Sequence, residues 1–317
     1  MYRSLIINSV KTDLFFGALE LRLFDGLDKP TSALDIHLRT GCDIRSLTLC
    51  LDALASAQFI KKEGKNYFNT EQTQKYLSSE SSSYIGDLIL HRRKMFSVEN
   101  LVERIKYGDK GIQSIDFRRL AELTGKEMKL FRTKAFVRTV QTLLHDIPQP
   151  RFLDFGGGPG LMGIEWAKQN PLLSGVIFEQ KEIAGIAQQN VMANGTDRQV
   201  QVIAGNFLTD DIGHSCYDLI LASGVLAFCE RHLTKVCEKL YRASDKSGYL
   251  IVVTPQLKED GLHPMDIVLS WLSSRLNGAE PILHGRIIHK ELLEVGFEYL
   301  QDYREPLYQG FIYRKGI

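Results

Sequence analysis

The sequence predicts two regions: a mainly helical first third, then an α/β region that starts near residue 151 and ends in an antiparallel hairpin. Three observations predict it. Apolar residues recur at helical spacing through most of the chain before "PQP" (148–150). From Arg151 onward short apolar runs alternate with helical stretches, as strands and crossover helices do in a parallel sheet. Between the first run and the first of these helices lies "LDFGGGPGLMG" (153–163), a glycine-crowded turn whose backbone a ligand can approach closely. The boundary between the regions is expected near residue 110, giving residues 1–110 and 111–317.

The elements follow in order. Leu14, Phe15, Ala18, Leu21 and Phe24 share one helical face. A short helix is expected after Thr31 and Ser32, a turn at "RTG", and a second helix from Asp43, a good N-cap, carrying Ile44, Leu47, Leu51 and Leu54. "FIKK", Gly64 and "YFNT" then read as a two-stranded wing, which makes the segment a winged-helix pattern. "SSESSS" (78–83) reads as a linker. One long helix is expected from Tyr84, with Leu88, His91, Met95, Val98, Val102 and Ile105 forming a stripe that must be packed, and "YGDKG" ending it. Helical stretches at 117–123 and 126–145 lead to the α/β region. Its strands are expected at "RFLDF", "SGVIFE", "VQVIAG", "YDLILAS" and "GYLIVVT", with helices beginning near Leu161, Lys181, Glu230 and Pro264. "GFEYLQDYREPLYQGFIYRK" reads as two strands joined by a proline-containing turn.

Composition narrows the function. A net charge of +1 over 317 residues gives no electrostatic reason for nucleic acid or an anionic membrane as partner. The would-be recognition helix, Asp43 to Gln58, holds Arg45 against Asp43 and Asp52, a net −1, so a packing or dimerisation module is the better reading. No apolar run approaches the ~18 residues of a membrane span, and the first 25 residues lack the pattern of a signal peptide. Cys42, Cys50, Cys216, Cys229 and Cys237 show no metal-ligand spacing; reduced thiols and a cytoplasmic location are expected, with no metal.

The glycine turn alone fits two cofactors. From Gly158 it matches G-x-G-x-x-G, the dinucleotide fingerprint; from Asp154 it matches D-x-G-x-G-x-G, a pattern associated with S-adenosylmethionine. Asp154 at the strand end suits a cationic amino group and would repel a pyrophosphate. Glu179, ending the second strand, can accept from both ribose hydroxyls. "GNF" after the third strand puts Asn206 and Phe207 where an adenine could lie, and a terminal antiparallel hairpin is foreign to the dinucleotide fold. On these residues, and on "ELLEVGFEYL" before the hairpin, the chain resembles class I S-adenosylmethionine-dependent methyltransferases of the small-molecule O-methyltransferase type, over essentially its full length.

The resemblance implies a Rossmann-like catalytic domain, a winged-helix dimerisation domain, a homodimer and transfer of a methyl group to a small, aromatic acceptor, to oxygen as the family does or, with its usual base missing, to N, S or C. Carried over, Asp154, Gly156, Gly158, Glu179, Asn206, Phe207 and Ser223 would bind the cofactor. Asn206 stands where the family usually has Asp, keeping a carbonyl acceptor without the charge. The family's base, a His after the fourth strand, is replaced by Ala227 in "SGVLAFCERH". His263, in "GLHPMD", is the substitute candidate. His91, Met95, Phe228 and Met265, with Trp271, would border the acceptor, whereas His232, His284 and His289 read as surface positions. An acceptor needing no strong base, a fold that binds S-adenosylmethionine for other chemistry, a winged-helix ligand sensor and a nicotinamide-dependent oxidoreductase are the competing readings.

Overall fold

The protein is described by a computed structural model covering residues 2–98, 101–108, 117–258, 260–276, 283, 285–306 and 308–316. The chain divides into two compact units, Met1–Lys94 and Met95–Ile317.

In the first unit, α1 (Tyr2–Glu20) stops because Arg22 turns to a φ of +50°. The expected face therefore ends early: Leu23, Phe24 and Leu27 swing into the core while Leu21 is left 54% exposed. β1 (Thr31–Ser32) leads into α2 (Ala33–Thr40), whose N-cap Ser32 forms a capping box with Asp35. Gly41, left-handed at φ +70°, closes α2, and Asp43 accepts from the Ser46 amide at 2.8 Å to start α3 (Ile44–Ser56). The wing is β2 (Ile60–Glu63) and β3 (Asn66–Asn69), and β1 adds a third strand in the order β1-β3-β2. Ile36, Leu51, Leu54 and Phe24 make the centre of this unit's core. After α4 (Glu71–Tyr76) the serine-rich segment is not a loose linker. Ser78 is fully buried, and the Ser79 amide and hydroxyl both donate to Asp25. α5 (Gly86–Phe96) follows.

The expected long helix is interrupted. Ser97 and Val98 are not helical, and the chain resumes as α6 (Leu101–Tyr107). Val102 and Ile105 are 66% and 71% exposed, so the stripe is not packed over its length. The end of "YGDKG", from Asp109, lies outside the described residues. α7 (Phe117–Glu127) runs into a π-helical turn (Met128–Arg132) and on into α8 (Thr133–Leu143), without the break expected near residue 124.

The second unit's sheet has the order β6-β5-β4-β7-β8-β10-β9. β4 (Arg151–Phe155), β5 (Ser174–Glu179), β6 (Val200–Ala204), β7 (Tyr217–Ser223) and β8 (Ser244–Val253) are mutually parallel, and β9 (Phe297–Arg304) and β10 (Gln309–Lys315) form the antiparallel hairpin, β10 pairing with β8. α9 (Leu161–Gln169) and α10 (Lys181–Ala193) join α8 over one core. α11 (Leu233–Ala243) and α13 (Gly285–Glu294), the latter not expected from the sequence, cover the other, and α12 (Met265–Leu276) precedes α13. Strand alternation feeds both cores, Phe152 and Leu221 on the α8 side, Leu153 and Ala222 opposite. Phe136, Phe152 and Trp166 pack edge-on or tilted at 5.3–6.2 Å, each such pair adding roughly 0.5–1.5 kcal/mol to the burial itself. At the opposite ends of the strands Arg151 bridges Asp218 and Asp245, tying β4, β7 and β8 together.

Candidate active site

β4 lies between β5 and β7, and helices leave it toward one face while those after β7 cover the other. In an open parallel sheet this switch point is where the strand ends leave a ligand crevice. Asp154 sits there, 1% exposed, and its Oδ2 has no hydrogen-bond partner among the described residues. Burial, and then the charge of Glu179, push its carboxyl up to about 7, while Arg132 pulls the other way. A buried, unpartnered carboxylate is costly unless a donor or cation completes it.

Glu179, at the end of β5, is also buried, which raises its carboxyl above the ordinary range. It accepts from the Gly158 amide and from the Gln180 amide, both at 2.7 Å, and those bonds partly offset the burial. So Glu179 closes the glycine turn, and each oxygen keeps a lone pair for a further donor. Gly158 adopts φ +56° and has open space where a Cβ would stand, whereas a Cβ on Gly157 would lie 2.7 Å from the Asp154 carboxyl carbon. Gly156 is left-handed too, at φ +77°.

The expected adenine segment is a tight loop after β6. The exposed Asn206 accepts from the Leu208 amide at 2.8 Å, so its carbonyl is already used in a turn. Phe207 is half-buried, its ring 5.1 Å from Phe155 and 5.8 Å from Phe178. Lys239 of α11 holds this loop by donating to the carbonyls of Phe207 and Asp210 at 2.8 and 2.7 Å. Ser223 ends β7, two residues beyond Leu221, which pairs with Asp154.

On the acceptor side, Ala227 is 1% exposed and its carbonyl accepts from the Leu283 amide. Its neighbour Phe228 is 62% exposed with its ring 5.5 Å from Trp271. Met265, at the start of α12, is 69% exposed. Met95 is half-buried in the second unit, where the Ser273 hydroxyl of α12 donates to the Ser97 carbonyl. His91 is half-buried in the first. His263 stands just before α12 with Nδ1 2.8 Å from Asp260 Oδ2. The Leu262 amide and the His263 ring hold the Asp260 carboxyl below the ordinary range. His232 is exposed as expected, and His284 lies outside the described residues. His289 is not a surface position: it is half-buried, 2.9 Å from the Tyr313 hydroxyl, among Tyr299 and Phe311.

Among the residues that escaped the sequence reading are Lys239 and Arg132. Lys239 gave no signal beyond its helical position. Arg132 did: Met128, Arg132, Phe136 and Val140 recur every four residues, so a charge stands on an otherwise apolar face, and all four are buried. Arg132 pairs with Glu305 beyond β9 and donates to Ser223 Oγ at 2.8 Å.

Residues 110–276 match the family profile described as the O-methyltransferase domain, and residues 4–79 that of the O-methyltransferase dimerisation domain. Among characterised proteins the chain is similar to the N,N-dimethyltransferase OxyT of Streptomyces rimosus, 26% identical over 74% of this chain and 72% of that one. It is likewise similar to acetylserotonin O-methyltransferase of Gallus gallus, 25% identical over 95% and 93%. Among solved structures, human N-acetylserotonin methyltransferase in complex with S-adenosylmethionine shares the fold with a TM-score of 0.73 at 20% identity, covering 100% of this chain and 98% of that one.

Proposed function

The chain belongs to the O-methyltransferase family, a family of S-adenosylmethionine-dependent methyltransferases, and on that premise we propose that it methylates a small, planar, largely apolar acceptor bordered by Phe228, Met265 and Trp271. The observation that carries the cofactor's placement is the orphaned Asp154 Oδ2. A buried carboxylate at a strand end fits a cationic amino group, and the Gly158 opening fits close passage of a ligand. Glu179 would hold the ribose hydroxyls through its remaining lone pairs. Phe207 offers an apolar face to the adenine, with Asn206 beside it, and Gly156 and Ser223 complete the wall. When bound, the cofactor supplies a methyl group on a sulfonium sulfur.

This chain's own task is then to position the acceptor and, where the acceptor is a phenol, to take its proton. His263 is the candidate base. Asp260 accepting from Nδ1 fixes the tautomer that leaves Nε2 free to take that proton, the arrangement that orients a catalytic imidazole elsewhere. Such a base is worth about 10²–10⁴-fold. The relatives' names cover both N- and O-methylation, so the receiving atom is the open point. Incubation with methyl-labelled cofactor and a panel of planar phenols, carboxylic acids and amines tests the reading. Label should enter planar acceptors, and His263→Ala should slow phenols by about 10²-fold or more while sparing acids that are already ionised. Equal slowing of all acceptors, or none, removes His263 from the role.

The homodimer is also part of this proposal. Leu5, Ile6, Ile7 and Val10 on α1 are 56–64% exposed within the region matching the dimerisation domain, an apolar surface that a second copy would cover. All five cysteines are free thiols, in keeping with a cytoplasmic protein. No described helix is long and apolar enough to cross a membrane.

A further inference from the structure

Arg132 and Glu305 form a buried ion pair that the chemistry above does not use. Their side chains are 11% and 0% exposed, with Nε and Oε1 2.5 Å apart. The Arg132 guanidinium is fixed on two further sides: it donates to Ser223 Oγ at 2.8 Å and lies 4.5 Å from the centre of the Tyr308 ring. The second Glu305 oxygen accepts from the Tyr303 hydroxyl at 3.3 Å. Arg132 thus comes from a π-helical turn, a local distortion often found at functional sites, and Glu305 and Tyr308 from the turn between β9 and β10.

Stability does not explain the pair. Two charges taken out of water recover little more than their desolvation cost, and apolar residues of similar size often serve as well or better. Position does. Ser223 ends the strand whose Leu221 pairs with Asp154, so the guanidinium stands at the ligand edge of the sheet, and its charge is felt at Asp154. An uncancelled positive charge there would oppose a positively charged ligand.

Resting on the cofactor reading above, we propose that Glu305 is a positioning residue that fixes Arg132 and cancels its charge beside the cofactor site, so that the site does not disfavour S-adenosylmethionine, whose sulfonium is cationic, relative to S-adenosylhomocysteine, whose thioether is neutral. The two ligands share their ammonium and carboxylate groups, so only the sulfonium charge and its methyl separate them. Two unit charges within about 10 Å at an effective dielectric near ~20 shift an equilibrium on the order of tenfold.

The test is calorimetric titration of both ligands into the wild-type chain, Glu305→Gln, Arg132→Gln and the double variant. Glu305→Gln should raise the ratio of the S-adenosylmethionine Kd to the S-adenosylhomocysteine Kd about tenfold, and the double variant, with both charges gone, should return it close to the wild-type value. Arg132→Gln, which removes only the positive charge, should leave the ratio unmoved or shift it toward S-adenosylmethionine; it serves also if Glu305→Gln does not fold. Parallel loss of both affinities in Glu305→Gln, with the ratio unchanged, overturns the charge role, as does a shift toward S-adenosylhomocysteine in Arg132→Gln. A wild-type chain that binds neither ligand overturns the cofactor placement itself, a result distinct from either.

Discussion

Asp154→Asn should stabilise the ligand-free protein in alkaline solution and do so much less in acid. The native carboxyl is raised from 3.8 to about 7 by burial and by Glu179. Between those two values the folded state therefore holds a proton that the unfolded chain has lost. Stability contributed by this group falls as pH rises through that window, and levels off above about 7. A rise of that size is worth roughly 4 kcal/mol at full effect. Asn cannot ionise, so it escapes this loss, but its amide would sit where Oδ2 has no partner, costing about 1–3 kcal/mol at any pH. The informative quantity is consequently the difference between conditions: urea unfolding of wild type and variant at about pH 5 and about pH 8 should give a ΔΔG between the two pH values of roughly 2–4 kcal/mol, in favour of Asn at the higher pH. A variant whose effect is the same at both, or more destabilising at pH 8, would refute the claim that Asp154 is buried without a partner. The same variant should bind S-adenosylmethionine poorly, separating stability from function at a single position.

Three further outcomes follow from the geometry. Lys239→Met should free the Phe207 and Asp210 carbonyls and loosen the loop after β6 proposed to face the adenine, weakening S-adenosylmethionine binding several-fold in calorimetry with little loss of secondary structure by circular dichroism. Ala227→His places a large polar ring in a site that is 1% exposed, so it should lower stability by about 1–3 kcal/mol in denaturant unfolding rather than create a base. Asp218→Ala should cost about 1–3 kcal/mol by stripping the Arg151 amide and guanidinium of their Asp218 bonds and leaving the side chain to Asp245, with ligand affinity unchanged, because that network sits at the far end of the strands.

Local chemistry accounts for what was legible in the chain. Ser32 and Asp43 cap helices because their side-chain oxygens meet nearby amides, a relation contained within four residues of sequence. The parallel strands were readable because burial on both faces leaves near-continuous apolar runs. The hairpin was marked by its proline-containing turn. What stayed hidden depends on distant partners. The serine-rich segment looks like a linker until Asp25, 54 positions earlier, binds Ser79. Arg132 finds Glu305 across 173 positions. The stripe from Tyr84 reads as one helix because periodicity survives the break that Ser97 and Val98 open. At the site, the sequence placed Asp154, Glu179 and the glycines correctly at strand ends but could not show that Glu179 already holds the turn shut, or that Asn206 spends its carbonyl on Leu208.

The most direct test of the account is isothermal calorimetry of S-adenosylmethionine with the wild-type chain and Glu179→Ala. Micromolar binding that the substitution weakens by about tenfold or more, a loss of at least roughly 1.4 kcal/mol, is the predicted result. A wild-type chain that binds no S-adenosylmethionine, or a variant that binds it as tightly as wild type, would contradict the placement of the cofactor between the ends of β4 and β5.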